Sequence, residues 1–270
     1  MVKNTPVIYA IANQKGGVGK TTLTANLGAS LTRMGKRVCL VDCDPQANLT
    51  MVLGYHSPNR LPVTLSHLIL DLIEADFKPE NSELLQKREY ILRGFDMDFI
   101  PSNIKLTSVE NMLVGVMSRE NILKKIINYI KNDYDYILID TMPSLNLITI
   151  NALNAAGSVL IPMQPQYLSV KGLEMLLSTI ESVKENLNPN LKIEGILMTM
   201  YDNRLTFHKE IVDTMLNGFG DNIKVFDTKI PVSVRMTETQ AKSESIFDYD
   251  PKGKISESYE KFTKELLNNG

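Results

Sequence analysis

Short apolar runs alternate along the whole chain with longer stretches in which apolar residues recur every three or four positions. The runs at 7–12, 37–42, 97–100, 136–140, 158–163, 193–200 and 225–230 predict strands. The stretches at 19–34, 108–116, 119–131, 144–155, 170–186, 207–218 and 254–267 predict helices. Strand and helix in repeated alternation point to an α/β protein with a doubly wound, mostly parallel sheet, because parallel neighbours need a crossover long enough to hold a helix. Residues 54–94 interrupt the pattern. They are polar, contain Pro58, Pro62 and Pro79, and carry too little apolar surface for a core of their own. They read as an irregular helical and loop insertion within a single domain spanning 1–270.

The predicted first strand runs directly into Lys15-Gly16-Gly17-Val18-Gly19-Lys20-Thr21-Thr22, where the first helix begins. Glycines let a backbone curl until several N–H groups face one anion, and a helix N-terminus adds its positive end. In such a P-loop Lys20 reaches the β- and γ-phosphates of a nucleotide and the Thr21 hydroxyl ligates Mg²⁺. Two more strands end in carboxylates. Residues 136–139 are apolar and lead into Asp140, the Walker B form, which holds Mg²⁺. The second strand leads into Asp42-Cys43-Asp44-Pro45, where a carboxylate meets either the metal or the attacking water. For Asp42 a loop-fixing role is the alternative.

Composition narrows the remaining choices. The chain has 270 residues, 43% of them hydrophobic, with 29 basic against 31 acidic side chains and a formal charge of −2. That excludes a general basic coat for nucleic acid while leaving room for a local patch. Cys39 and Cys43 are too few for a disulfide framework and fit packing at a strand end. His56, His67 and His208 have no metal-ligand spacing. With no apolar run near bilayer length and no secretory leader pattern, a soluble cytoplasmic protein is expected.

The loop departs from the ordinary P-loop at Gln14, where the first glycine usually stands, and at the second lysine, Lys15. In this it resembles the deviant Walker A ATPases, the family of the ParA partition proteins and MinD. Segments 98–103, 149–153, 167–173, 199–204, 230–235 and 249–252 look like their ParA/Soj counterparts, so the likeness covers almost the whole chain. The resemblance implies an ATP- and Mg²⁺-dependent homodimer in which Lys15 crosses to the partner's nucleotide, cations being needed between facing phosphates. It implies that Asp44 activates the water, that Asp42 supports the metal shell, and that the region of Pro231 and Ser233 lies against the adenine. It further implies non-specific DNA binding by the ATP dimer through Arg204 and Arg235, and hydrolysis stimulated by a ParB-like centromere-binding partner on the nucleoid. Against the DNA role, Arg204 and Arg235 have Asp202 and Glu238 nearby, and Val232 and Glu244 stand where relatives often carry Arg and Lys. Met142 likewise replaces one of two prolines usual after Walker B.

The other branches fit less well. A MinD-like membrane-associated spatial regulator would need an amphipathic tail. Here Ile255, Tyr259, Phe262 and Leu266 form an apolar stripe, but the other face mixes Glu257, Glu260 and Glu265 with Lys254, Lys261 and Lys264. That pattern favours packing on the core over attraction to anionic lipid, and no membrane contact is expected. Iron–sulfur relatives need cluster cysteines that this chain lacks. A nucleotide-dependent scaffold without hydrolysis is the remaining alternative.

Overall fold

The computed structural model describes residues 5–268, apart from the side chain of Leu168. Its strands are β1 (Val7–Ile11), β2 (Val38–Cys43), β3 (Leu92–Gly94), β4 (Met97–Ile100), β5 (Tyr136–Thr141), β6 (Ser158–Met163) and β7 (Lys192–Met198). They lie in the order β3-β4-β2-β5-β1-β6-β7, every pairing parallel except the β3–β4 hairpin at one edge. Helices cover both faces, which is why β2 is buried along its whole length and β5 nearly so.

The helices follow as α1 (Lys20–Arg33), α2 (Asn48–Val52), α3 (Leu65–Glu74), α4 (Glu83–Lys87), α5 (Lys105–Leu113) and α6 (Ile122–Ile130). The second half adds α7 (Leu147–Ala155), α8 (Tyr167–Asn186), α9 (Thr206–Phe219), α10 (Arg235–Lys242), α11 (Ile246–Tyr249) and α12 (Lys254–Leu267). Alternation along β1 divides the core between the faces. Tyr9 and Ile11 pack with residues of α1, α11 and α12, whereas Ala10 and Ala12 pack with those of α7 and α8. On α1, Gly28 allows close approach to the sheet. A Cβ there would sit 2.6 Å from Met97 Sδ and 2.9 Å from Leu40 Cδ2.

The apolar stripe of the tail is in the core. Ile255, Tyr259, Phe262 and Leu266 of α12 are all buried in the cluster that holds α1. Among the described residues, no helix is long and apolar enough to cross a membrane. Cys39 and Cys43 are free and buried, as packing residues would be.

Three expectations change. Residues 225–230 do not form a strand; Val225 makes an isolated bridge to Ile196 of β7, and just past the segment Pro231 makes another to Tyr201, beyond the end of β7. The Asp227 and Thr228 amides donate instead to the Glu265 carboxylate of α12, at 2.8 and 3.0 Å, so the ladder cannot close there. Residues 54–94 are more ordered than an irregular segment. Leu65, Leu68, Ile69 and Leu72 of α3 bury their helical stripe in the common core, and β3 adds an edge strand. Finally, α10 and α11 fill a stretch for which the sequence predicts nothing regular.

Candidate functional site

The order of the sheet brings the C-terminal ends of β2, β5 and β1 side by side, and the glycine-rich loop leaves β1 next to β5. Gly17 and Gly19 take φ values of +73° and +87°, a region only glycine enters freely. The loop is braced from outside. Asn13 Nδ2 donates to the Pro162 carbonyl at 2.8 Å, and its Oδ1 accepts from the Lys15 amide at 2.9 Å. Gln164 Nε2 holds the Gly17 carbonyl at 2.9 Å, and Thr199 Oγ1 holds that of Val18 at 2.8 Å. No side chain caps α1, so none competes for its first amides.

Lys20 is 7% exposed and donates Nζ to the carbonyls of Asn13 at 3.0 Å and Lys15 at 3.2 Å. Burial lowers its pKa, against the pull of Asp140 and Asp44. Thr21 Oγ1 donates to Asp140 Oδ2 at 2.7 Å, and Thr24 Oγ1 reaches Oδ1 at 3.3 Å. Burial pushes the Asp140 pKa upward, and the charge of Asp42 adds to the effect.

Asp42 and Asp44 have divided their work. Asp42 Oδ1 accepts from the Asp44 amide at 3.1 Å, while Oδ2 accepts from the Thr50 amide at 2.9 Å and its hydroxyl at 2.7 Å. Both oxygens of Asp42 thus help to fix the loop that carries Asp44, the role that stood as the alternative to the magnesium shell. Burial raises the Asp42 pKa to about 6. Asp44 keeps one oxygen on the Gln46 amide at 2.8 Å and lines a cleft of about 590 Å³ together with Gly16, Gly17, Gly19, Lys20 and Thr21.

Pro231 and Ser233 line a second cavity of about 310 Å³. Both cavities are bordered by Gly19, Thr22, Met200 and Gln240, so they adjoin. Gln240 Nε2 donates to Thr22 Oγ1 at 3.0 Å. Nothing in the sequence signals Gln240, which faces the loop from the far end of the chain, and Met200, just past β7, falls in a family-like segment without any role being assigned to it. Lys15 does not project freely. Its ammonium donates to Gln166 Oε1 and to Ser169 Oγ at the head of α8 in the same chain.

Of the two arginines, Arg204 makes a two-pronged ion pair with Asp202. Arg235 pairs with Asp250, not with its helix neighbour Glu238. Their surroundings are basic all the same. Arg204, Lys229, Lys254 and Lys261 line one groove, and Arg235, Lys252 and Lys254 line the next.

A family model described as an AAA domain matches residues 6–193. The sporulation initiation inhibitor protein Soj of Bacillus subtilis is 42% identical over 264 residues, covering 97% of this chain and 99% of Soj. The chain belongs to the ParA/Soj family of P-loop ATPases. Another member, the chromosome partitioning protein ParA of Caulobacter vibrioides strain NA1000, is 37% identical over 99% of this chain and 96% of its own. Among solved structures, cobyrinic acid a,c-diamide synthase from Mycobacterium smegmatis with bound ADP and magnesium is 34% identical, with a TM-score of 0.81. That match covers 98% of this chain and 95% of the other.

The cleft of this ParA/Soj protein fits a magnesium nucleotide on its own geometry. The two positive-φ glycines shape a cradle, and a lysine there has only neutral loop carbonyls to surrender. The donor set suits Mg²⁺: one hydroxyl, one carboxylate, and room for phosphate oxygens and water. No group of three or more His, Cys, Asp or Glu among the described residues could hold a metal by itself, so phosphate would have to complete the shell.

Proposed function

We propose that this ParA/Soj protein is a partition ATPase that binds ATP with Mg²⁺ in the P-loop cleft, dimerises, and hydrolyses ATP to ADP and phosphate. The observation that carries the reading is the Thr21–Asp140 pair beside Lys20 at the mouth of the central strand. Lys20 would exchange two backbone carbonyls for β- and γ-phosphate oxygens, trading neutral acceptors for charged ones. Gly16 to Thr22 would cradle the phosphates through their amides. Thr21, and Asp140 through water, would hold Mg²⁺, which would supply neutralisation of the charge that develops on the departing ADP. Asp44 would orient the attacking water and take up its proton in line with the γ-phosphate, with Asp42 holding the Asp44 backbone still. Pro231 and Ser233 would border the adenine.

Lys15 would act across the dimer, leaving Gln166 and Ser169 for the phosphates of the partner subunit's nucleotide. Both partners it gives up are neutral, so the exchange gains charge complementarity. For non-specific DNA, the basic grooves supply phosphate contacts without base readout. Lys229, Lys254 and Lys261 are the carriers here, since Arg204 and Arg235 already engage carboxylates. A ParB-like protein would stimulate hydrolysis, and the protein would work on the nucleoid in the cytoplasm. The burial of the α12 stripe argues against a MinD-like membrane anchor.

Two measurements test this. Phosphate release should be Mg²⁺-dependent, slow alone, and faster with DNA and a ParB-like partner; no release under any condition would leave only a scaffold. ATP-dependent retention of random-sequence duplex should weaken steeply with salt and fall about tenfold in Lys229→Glu/Lys261→Glu. Retention equal to wild type would remove the grooves from the DNA reading.

A further inference from the structure

The segment Tyr249-Asp250-Pro251-Lys252 takes no part in the phosphate chemistry, yet it receives α10. Arg235, Glu238 and Lys242, at i, i+3 and i+7, share one face of that helix, and all three meet Tyr249 or Asp250. The Arg235 guanidinium pairs with the Asp250 carboxylate. The Tyr249 hydroxyl donates to Glu238 Oε2 at 2.8 Å, and the Lys242 ammonium lies 4.7 Å from the centre of the Tyr249 ring. The other face of α10 belongs to the cavities. Met236, Thr237 and Gln240 line the one bordered by Pro231 and Ser233, and Gln240 also touches Thr22.

The two partners are rooted unequally. Thr239 is the only residue that α10 buries, so little apolar surface holds it in place. In contrast, α11 is fixed. Ile246 and Phe247 are in the core, the Ile246 amide donates to Asn26 Oδ1 of α1 at 3.1 Å, and Ser256 Oγ donates to the Ile246 carbonyl at 3.0 Å.

We propose that Tyr249 and Asp250 are a dock that holds α10 as a lid over the base side of the nucleotide. Arg235, Tyr249 and Asp250 are then positioning residues for nucleotide binding, acting through Gln240 and Thr237. Arg235 serves first as a clamp on the lid. The proposal rests on the reading of the P-loop cleft as the ATP site.

The test is the affinity of the full chain for a fluorescent ADP analogue with Mg²⁺ and no DNA. Asp250→Asn, Tyr249→Phe and Arg235→Ala should each weaken binding about threefold to fivefold, the range of a partly exposed polar pair. Arg235→Ala/Asp250→Asn should be no worse than the weaker of its parents, because both remove one contact. Asp250→Glu should recover much of the loss, and in turnover the effect should fall on KM for ATP more than on kcat. Tyr249→Phe deletes a single oxygen and carries the test if Asp250→Asn folds poorly. Wild-type affinity in the folded single variants, or fully additive losses in the double, would overturn the lid. Lys20→Ala separates the two readings. If it binds like wild type, the phosphate site itself is wrong; if it loses binding while Asp250→Asn does not, only the lid fails.

Discussion

The floor of the nucleotide cleft and its lid are built by opposite means. On the floor, Asp42 and Asp140 are fully buried, Lys20 nearly so, and each is tied to strands or loops by short hydrogen bonds. The lid, α10, buries one residue and is positioned by exposed polar contacts. The difference assigns costs sensibly. Groups that meet developing charge gain from fixed geometry and excluded water, whereas a surface that admits and releases a nucleotide must be cheap to displace.

If the comparison is right, damage to the floor is large and damage to the lid small. The largest effect belongs to Asp44→Ala, which should lower kcat for ATP about a thousandfold, as loss of a water-activating group does, while ATP still binds. Phosphate release near the wild-type rate would remove Asp44 from the chemistry. Next comes Lys20→Ala, expected to weaken ATP about a hundredfold in calorimetry, the scale of a lost buried charge contact.

Thr50→Val tests the framework below the chemistry. It strips the hydroxyl from Asp42 Oδ2 and from the Ser102 amide, which Thr50 Oγ1 accepts at 3.0 Å. Unfolding in urea should show a loss of about 2 kcal/mol, typical of a buried polar group left short of a partner. Undiminished stability would mean that the Asp42 loop is held by something else. Smallest of all, Gln240→Ala should weaken the fluorescent ADP analogue about twofold, the effect of one exposed hydrogen bond. A loss as large as that of Lys20→Ala would erase the distinction between floor and lid.

The floor was legible in sequence because its signals are local. A strand, three glycines and Lys20-Thr21 are contiguous, and Asp140 closes an apolar strand in four residues. What escaped is what depends on distant partners. Nothing in Arg235-Met236-Thr237-Glu238 announces a lid, since Met236 is its only large apolar residue and Gln240 bonds to a threonine 218 positions away. Residues 225–230 look like a strand, and only the carboxylate of Glu265 diverts their amides. In α3 the stripe at 65, 68, 69 and 72 was present but framed by prolines, which read as a break. Asp42 shows the same limit at short range: its position was visible, but the Thr50 hydroxyl that claims it was not.

The place of β1 in the sheet has a consequence for how the chain is made. Of the described strands it is the first to leave a ribosome, yet its neighbours are β5, with Val7 opposite Tyr136, and β6, with Tyr9 opposite Ser158. At synthesis rates of roughly 5–20 residues per second, several seconds separate β1 from either neighbour. Through that interval the glycine-rich loop has no framework. It can take its nucleotide-ready shape only when more than half of the chain has followed, and such long-range parallel pairing closes slowly.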